Sequence, residues 1–297
     1  ETGLDPNILV TYIRRLKVLV LSSLSIILLT SQVSDLQQPM GEYFGQEPPG
    51  LQPELFAAGI IPEDLHSSPI FAPDGQSVYF KPLDIDGIMQ MRMKKEKWLP
   101  AMPVFVNDEV ENSDDPCLSP NGDRLYFSLY DRSDNREYIY YCGRDGDSKC
   151  VPKQPKGALN SLDLHWQFSI ASNGNIYYSS NGNIYCSELV GEVYDEPYKL
   201  SENINSDLSE VTPYVSPDES MLIFSRSNNG KPDLFVSYKD DSGNWKPATA
   251  LGPEVNTDHH EMCPTLSPDG KYLFFLSSRG GLFSAYWVDS KVLGAGY

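Results

Sequence analysis

Basic residues are scarce in this sequence. Its 297 residues include 23 Lys and Arg against 41 Asp and Glu, which gives a formal net charge of −18. A surface this acidic repels phosphate groups, so nucleic-acid binding is not expected. The excess of carboxylates favours solubility, and it leaves open a cation or a cationic partner.

Metal-binding cysteine motifs are also missing. The chain has 5 Cys but no Cys-x-x-Cys pair, which argues against a structural zinc site of the usual spacing. Cys142 and Cys150 flank a polar loop, and their spacing would allow a disulfide across a hairpin in an oxidising compartment.

No apolar run near the N-terminus is long enough for a stable membrane anchor. Residues 18–29 (VLVLSSLSIILL) follow Arg14, Arg15 and Lys17, whereas a membrane-spanning helix needs about 20 apolar residues. A basic flank, a short apolar stretch and small residues after it are typical of a secretory signal. We therefore predict an export leader over residues 1–34, a periplasmic or extracellular location, and no stable membrane span in the mature chain.

The most prominent positive feature is a repeated turn. Five segments place an Asp or Asn between a short apolar strand and a strand such as Val-Tyr-Phe or Leu-Tyr-Phe. The turn residues, separated by 47, 52, 45 and 51 positions, are Asp74, Asn121, Asn173, Asp218 and Asp269. Four-stranded propeller blades take about 40–50 residues each, so this period predicts five blades.

The two ends of the repeat array predict how the ring closes. The fifth repeat lacks a convincing fourth strand, and residues 52–66 resemble residues 246–259, a fourth strand followed by the next entry loop. We therefore predict an all-β fold, a five-bladed β-propeller of four-stranded blades closed by an N-terminal strand. This single domain would span residues 51–297, after a linker over residues 35–50.

The turns also carry a family resemblance. APDG, SPNG, SPDE and SPDG, each followed by a strand, resemble the PD40 repeats of the TolB-like, WD40-like propeller superfamily over roughly residues 50–293. The resemblance implies a propeller and says little of activity, because members include periplasmic binding scaffolds, peptidase propellers and sugar-acid lyases. Many members have six or seven blades, so five is a departure. No Gly-x-Ser-x-Gly elbow is present, which argues against the peptidase function.

Function in such a fold is expected at one mouth of the channel, where loops enter the innermost strands. Counting back from the proline of each inner strand, or from Phe168 in its place in the third repeat, gives two sets of positions. They share a strand face because they lie two residues apart. The set three residues before comprises His66, Ser113, His165, Glu210 and Glu261. The set one residue before comprises Ser68, Asp115, Gln167, Thr212 and Cys263.

The candidate binding residues at this mouth are six imidazole and carboxylate side chains, namely His66, Asp115, His165, Glu210, His260 and Glu261. They suit a divalent cation or acid and base chemistry, and equally a wet channel without a ligand. We favour a secreted or periplasmic binding module for a protein, peptide or glycan. The alternatives are a carbohydrate-active hydrolase or lyase that uses this ring, with or without a metal, and a purely structural module.

Overall fold

The computed structural model describes residues 38–105, 110, 112–144, 151–164 and 166–294. Gln38–Tyr297 forms one compact unit. The predicted leader, Cys150 and His165 lie outside the described residues. Within those residues, no helix has the length and apolar character needed to cross a membrane.

Short antiparallel strands account for almost all regular structure in the described residues. In chain order the strands are Glu54–Leu55 (β1), Leu65–Phe71 (β2), Ser77–Pro82 (β3), Met89–Lys94 (β4), Lys97–Trp98 (β5), Met102–Pro103 (β6), Ser113–Leu118 (β7), Arg124–Asp131 (β8), Arg136–Gly143 (β9), Phe168–Ile170 (β10), Ile176–Ser180 (β11), Asn183–Ser187 (β12), Leu189–Val190 (β13), Val193–Tyr194 (β14), Tyr198–Lys199 (β15), Ser209–Val215 (β16), Met221–Asn228 (β17), Lys231–Tyr238 (β18), Thr249–Ala250 (β19), Glu261–Leu266 (β20), Tyr272–Ser277 (β21) and Ser284–Asp289 (β22). Three single-turn 3-10 helices complete the described elements, at Glu42–Gly45, Leu159–Ser161 and Ser290–Leu293.

The strands form five blades, which confirms the predicted fold. Blade 1 contains β2–β6, blade 2 contains β7–β9, and blade 3 contains β10–β12 with β15. Blade 4 contains β16–β19, and blade 5 contains β20–β22 with β1 on its outer edge. The β13–β14 hairpin stands apart as a two-stranded sheet. In blade 2, a bridge between Tyr141 and Lys153 takes the place of the fourth strand among the described residues.

The N-terminal strand closes the ring as predicted. Glu54 and Leu55 of β1 pair with Trp287 and Tyr286 of β22, antiparallel. The Phe56 N–H continues this pairing by donating to the Ala285 carbonyl at 2.8 Å. The closure covers the exposed edge of the last blade, which would otherwise present unpaired backbone groups.

Residues ahead of β1 add a second attachment that the sequence did not reveal. Met40 bridges to Lys97 in blade 1, and the Trp98 indole N–H donates to the Gly41 carbonyl at 2.8 Å. Tyr43 and Phe44 then enter an aromatic cluster between blades 1 and 5, whose other rings belong to Phe56, Phe71, Trp98, Phe274 and Trp287. Part of the predicted linker therefore holds the first blade to the last, because Phe44 is buried there and Tyr43 packs against the same rings.

The repeated turn has one hydrogen-bonding pattern in all five blades. The side chain of each Asp or Asn accepts from the N–H two residues later, at 2.9–3.3 Å. Side chains of this kind stabilise tight turns by such bonds. The following residue has a positive φ, and Gly occupies it in four blades. Blade 4 instead has Glu219, which the Asn173, Asn175 and Tyr177 side chains of blade 3 contact through hydrogen bonds.

A second repeated device fixes the loops that enter the inner strands. Asn160, Asn205 and Asn256 each accept from a backbone N–H of the preceding third strand and donate to the carbonyl of the same residue. The amide thus pairs with the strand as a backbone peptide would, and it ties one blade to the next.

Replacing Asn205 by Ala should lower the free energy of unfolding. The side chain is 5% exposed, and its loss leaves the Ile184 N–H and C=O without these partners, a cost of about 1–3 kcal/mol. Urea denaturation of the full chain would measure the effect. Asn228→Ala, on an exposed strand end, is the matched control and should change stability by less than about 0.5 kcal/mol. Equal losses of stability in the two variants would contradict the role of Asn205 in holding its entry loop to the preceding strand.

Candidate functional site

One end of the propeller collects two kinds of loop. Every inner strand ends at the repeated turn and the second strand runs back antiparallel to it. The loops into the inner strands and the loops between second and third strands therefore lie at the same end. We call this end the entry face.

A bulge shapes four of the five inner strands. The pairing register of β2, β7, β16 and β20 with the second strand shifts just before the strand proline. At this point Asp115, Thr212 and Cys263 have φ values of 46°, 51° and 54°. Such left-handed backbone is uncommon outside Gly, and it interrupts the alternation of side chains along the strand.

The residues one position before the strand proline meet in the channel. We call Ser68, Asp115, Gln167, Thr212 and Cys263 the inner ring. Each of them is no more than 3% exposed. The Cys263 N–H donates to Thr212 Oγ1 at 3.3 Å, and the Cys263 thiol lies 3.8 Å from the His66 carbonyl. Gln167 of blade 3 donates to the Pro264 carbonyl of blade 5 at 2.8 Å, which links two blades that are not neighbours.

A charged group lies against the inner ring between blades 1 and 2. His66 Nδ1 is 2.9 Å from Asp114 Oδ1, and the Asp115 N–H donates to the same oxygen at 2.8 Å. Ligand atoms of His66, Asp114 and Asp115 all lie within 4.8 Å of one another. We call these three residues the His66 cluster. It is the one group of metal-ligating side chains that meets this criterion among the described residues.

The electrostatics of the His66 cluster are strongly coupled. Burial opposes protonation of His66, but the Asp114 carboxylate outweighs it and raises the pKa of His66 to about 9. Burial likewise opposes ionisation of Asp114, yet the adjacent imidazolium holds its pKa below the ordinary value. Burial, with Asp114 adding its charge, raises the pKa of Asp115 well above the usual range.

Two further charged residues border the His66 cluster. Burial, followed by repulsion from Asp114, raises the pKa of Glu137 to about 7. The Lys81 ammonium group is buried and donates to the Pro82 and Ile85 carbonyls at 2.8 Å each. Lys81 therefore anchors the loop after β3 and adds positive charge beside the imidazole.

Two of the predicted residues, His66 and Asp115, lie in this cluster. Asp114, Glu137 and Lys81 are not among the predicted residues. Asp114 and Asp115 are consecutive in a strand, so regular alternation would direct them to opposite faces. The bulge at Asp115 brings both to the same site. The adjacent Asp pair was the available signal, whereas Glu137 and Lys81 reach the site from neighbouring strands without any local motif.

The other predicted carboxylates have separate partners. Glu210 accepts from Ser206 at 2.5 Å and from Arg226 at 2.8 Å. Glu261 accepts from Thr257 at 2.7 Å, from Ser277 at 2.9 Å and from Arg279 at 3.3 Å. Both carboxylates are fully buried, and each fastens its entry loop to its own blade. The sequence signal for this role is an Asn-Ser or Asn-Thr pair with Glu four residues after the hydroxyl.

The remaining predicted site residues have different outcomes. His260 donates its N–H to Ser278 at 3.2 Å, and its ring lies 5.9 Å from the Phe283 ring, outside the His66 cluster. His165 is beyond the described residues, so its place in the ring stays a prediction. Cys142 is disulfide-bonded, while Cys117, Cys186 and Cys263 are free. The pairing with Cys150 stays a prediction for the same reason as His165.

The entry face carries exposed apolar side chains. They come from blades 1, 3, 4 and 5, are 38–47% exposed, and comprise Leu83, Ile85, Trp166, Leu208 and Leu282. We call this set the apolar rim. Exposed carboxylates also lie on the loops of the entry face, namely Glu63, Asp84, Asp86, Asp131, Asp134, Asp207 and Asp258.

The opposite end of the channel has a lining without charged residues. A cavity of about 160 Å³ is lined by inner strands of all five blades and by prolines of the repeated turns. Gln167 also lines it, so this amide separates the cavity from the entry face.

No protein-family model and no curated protein matches this sequence. Solved structures match it as folds. An endo-arabinase from Bacteroides thetaiotaomicron superposes with a TM-score of 0.53 at 14% identity, over 82% of this chain and 97% of that chain. A gluconolactonase from Xanthomonas campestris superposes with a TM-score of 0.52 at 12% identity, over 86% of each chain.

A longer protein also matches. The hydrazine synthase of Kuenenia stuttgartiensis has a TM-score of 0.46 at 15% identity over 75% of this chain, and the match spans only 59% of that chain. Identities this low show the propeller fold alone. They leave the TolB-like resemblance a prediction, and they leave binding and catalysis both open.

Changing Arg226 to Met should destabilise the protein. The substitution leaves the Glu210 carboxylate buried without its cation, and breaking a buried ion pair in this way costs about 3–5 kcal/mol. Chemical denaturation would measure the loss. The double variant Arg226→Met with Glu210→Leu should recover part of it, and a failure to recover would contradict a purely local ion pair.

Proposed function

We propose that the protein is an exported binding module that captures a partner protein or peptide on its entry face. The observation that carries this proposal is the apolar rim around a carboxylate-rich centre. Single exposed apolar residues are common on protein surfaces. Five at one end of one channel, contributed by four blades, are typical of an interaction surface.

The charge of the entry face supports a partner with a basic group. Seven exposed carboxylates lie on its loops. Arg226 and Arg279 are occupied by Glu210 and Glu261. A Lys or Arg side chain of the partner would find complementary potential here, which increases the rate of association and its specificity.

The composition of the rim favours a peptide over a glycan. Four of its five members are Leu or Ile, and Trp166 alone offers an aromatic face. Aliphatic side chains pack well against the apolar residues of a peptide, whereas sugars are bound largely through hydrogen bonds and aromatic rings. The rim therefore supports an apolar and basic segment as the ligand.

The disulfide at Cys142 supports the location. Disulfides persist in oxidising compartments such as the periplasm and the extracellular space. This agrees with the leader predicted from residues 1–34. A partner would accordingly be another exported or surface protein.

The peptide proposal predicts selective binding that depends on the rim. Fluorescence anisotropy with short synthetic peptides, each with a central Lys or Arg flanked by Leu or Ile, should reveal binders that weaken as salt is raised. Trp166→Ala should reduce the affinity of those peptides about tenfold or more, because exposed Trp side chains are frequent binding hot spots.

The matched control is Val190→Ala, since Val190 is 60% exposed on the separate β13–β14 hairpin. Its affinity for the same peptides should equal that of the unchanged protein. Equal losses in both variants, or binding restricted to a parallel panel of oligosaccharides, would refute the peptide-binding function.

One observation favours a second candidate, a carbohydrate-active enzyme. Glu137 has a pKa raised to about 7 beside the ionised Asp114. A carboxyl group that titrates near neutral pH suits general acid catalysis, and a second carboxylate nearby suits a base or nucleophile. Glu137 would then act as the acid and Asp114 as its partner.

This alternative predicts hydrolysis of methyl glycosides by the full chain, because their alkoxide leaving group must be protonated. Glu137→Gln should lower kcat by about 10²–10⁴-fold, because it removes the transferable proton. Asp134→Asn, on the exposed loop next to it, should retain the rate. The alternative is excluded if no methyl glycoside is turned over, or if the Gln variant is as fast as the unchanged protein.

A further inference from the structure

Four side-chain oxygen atoms in or directly before the inner strands of blades 1, 2 and 3 are buried without a hydrogen-bond partner. They are Ser67 Oγ, Ser68 Oγ, Asp115 Oδ1 and Gln167 Oε1. Only three other buried side-chain atoms among the described residues share this property. Buried polar atoms are rarely unpaired, so a concentration at one place requires a specific explanation.

Contacts of the inner ring link the residues that carry these atoms. The Asp115 ligand atom lies within 4.8 Å of those of His66 and Asp114. Ser67 and Ser68 follow His66 directly, and Cys263 touches the His66 carbonyl. Gln167 donates to Pro264, next to Cys263, so its free oxygen is carried to the same region from blade 3.

Among these four atoms, the Asp115 oxygen is the most costly to bury without a partner. Asp115 is 2% exposed, its Oδ2 accepts from Ser128 at 3.3 Å, and its Oδ1 has no donor. Its backbone is held at a φ of 46°, which is unfavourable for a residue other than Gly. The positive group beside it is the His66 imidazolium, which is already paired with Asp114. An ionised carboxylate in this position therefore needs a further compensating positive group.

We propose that the channel centre binds one divalent cation, with the Asp114 and Asp115 carboxylates and the His66 imidazole as its protein ligands. The unpaired oxygens of Ser68 and Gln167 are placed to complete the coordination directly or through water. Two carboxylates suit Mg²⁺, Ca²⁺ and Mn²⁺, whereas an imidazole suits transition metals. Mn²⁺ satisfies both preferences and is the cation we expect this donor set to hold.

This site is distinct from the peptide-binding function. Asp115 is too buried to receive a partner's side chain, and the rim residues do not belong to the donor set. The cation would neutralise the centre from within and hold blades 1 and 2 together at the axis. Metal binding can therefore be measured without any peptide.

The test is a titration of the full chain with Mn²⁺ after treatment with a chelator. Electron paramagnetic resonance of free Mn²⁺ should show one saturable site per chain. Asp115→Asn keeps the shape of the side chain but removes its ability to carry a charge. Loss of an outer-shell contact weakens metal binding about 10–100-fold, and this variant should weaken Mn²⁺ binding by more than that. Asp134→Asn, an exposed carboxylate on the same face, should bind Mn²⁺ as the unchanged protein does.

Thermal unfolding is a second measurement, and it distinguishes a metal-binding Asp115 from an Asp115 that only stabilises the fold. In chelator, Asp115→Asn should be at least as stable as the unchanged protein, because it removes a buried unpaired carboxylate. With Mn²⁺ the unchanged protein should gain stability and the variant should not, since a ligand stabilises only the state that binds it.

Two results would overturn the proposal. One is the absence of saturable Mn²⁺ binding by the unchanged protein at millimolar metal. The other is equal Mn²⁺ affinity in Asp115→Asn. If the Asn variant does not fold, His66→Gln, at a partly exposed position, takes its place with the same expected loss. A failure of the peptide panel would leave these measurements unaffected.

Discussion

Closure of the blade ring is the constraint on which the rest of this structure depends. The last blade has three strands of its own, and its fourth comes from the N-terminal side at Glu54–Leu55. Tyr43 and Phe44 reinforce this joint from the side of blade 1. With the circumference fixed, side chains from distant blades meet in the channel, as the bond from Gln167 to Pro264 shows.

The bulge in the inner strands brings the residues of the candidate site together. It allows consecutive residues to serve one cluster, so that Asp114 reaches His66 while Asp115 enters the inner ring. The same bulge in blades 4 and 5 places Thr212 and Cys263, which hydrogen-bond each other and carry no charge. The fold therefore provides equivalent positions in several blades. The residue type at each position decides whether the side chain is neutral or charged.

Carboxylates at the entry face have two contrasting environments. Glu210 and Glu261 are neutralised by an arginine and hydroxyl groups of their own blades. Asp114, Asp115 and Glu137 share His66 and lie near Lys81, so their pKa values move apart. The unbalanced charge is consequently confined to blades 1 and 2, and this asymmetry distinguishes a candidate site from a symmetric scaffold.

The sequence by itself determined the blade count, the turns and the closure, because each follows from local chemistry repeated along the chain. Asp74 and its equivalents form the same side-chain bond wherever they occur, and residues 52–66 repeat a pattern seen at 246–259. Repeat symmetry also placed His66 and Asp115 at one end. Only the tertiary structure decided the rest. Regular alternation would separate Asp114 from Asp115, an ion pair such as Glu210 with Arg226 depends on cross-strand register, and the approach of Glu137 and Lys81 depends on how neighbouring strands pack around the channel.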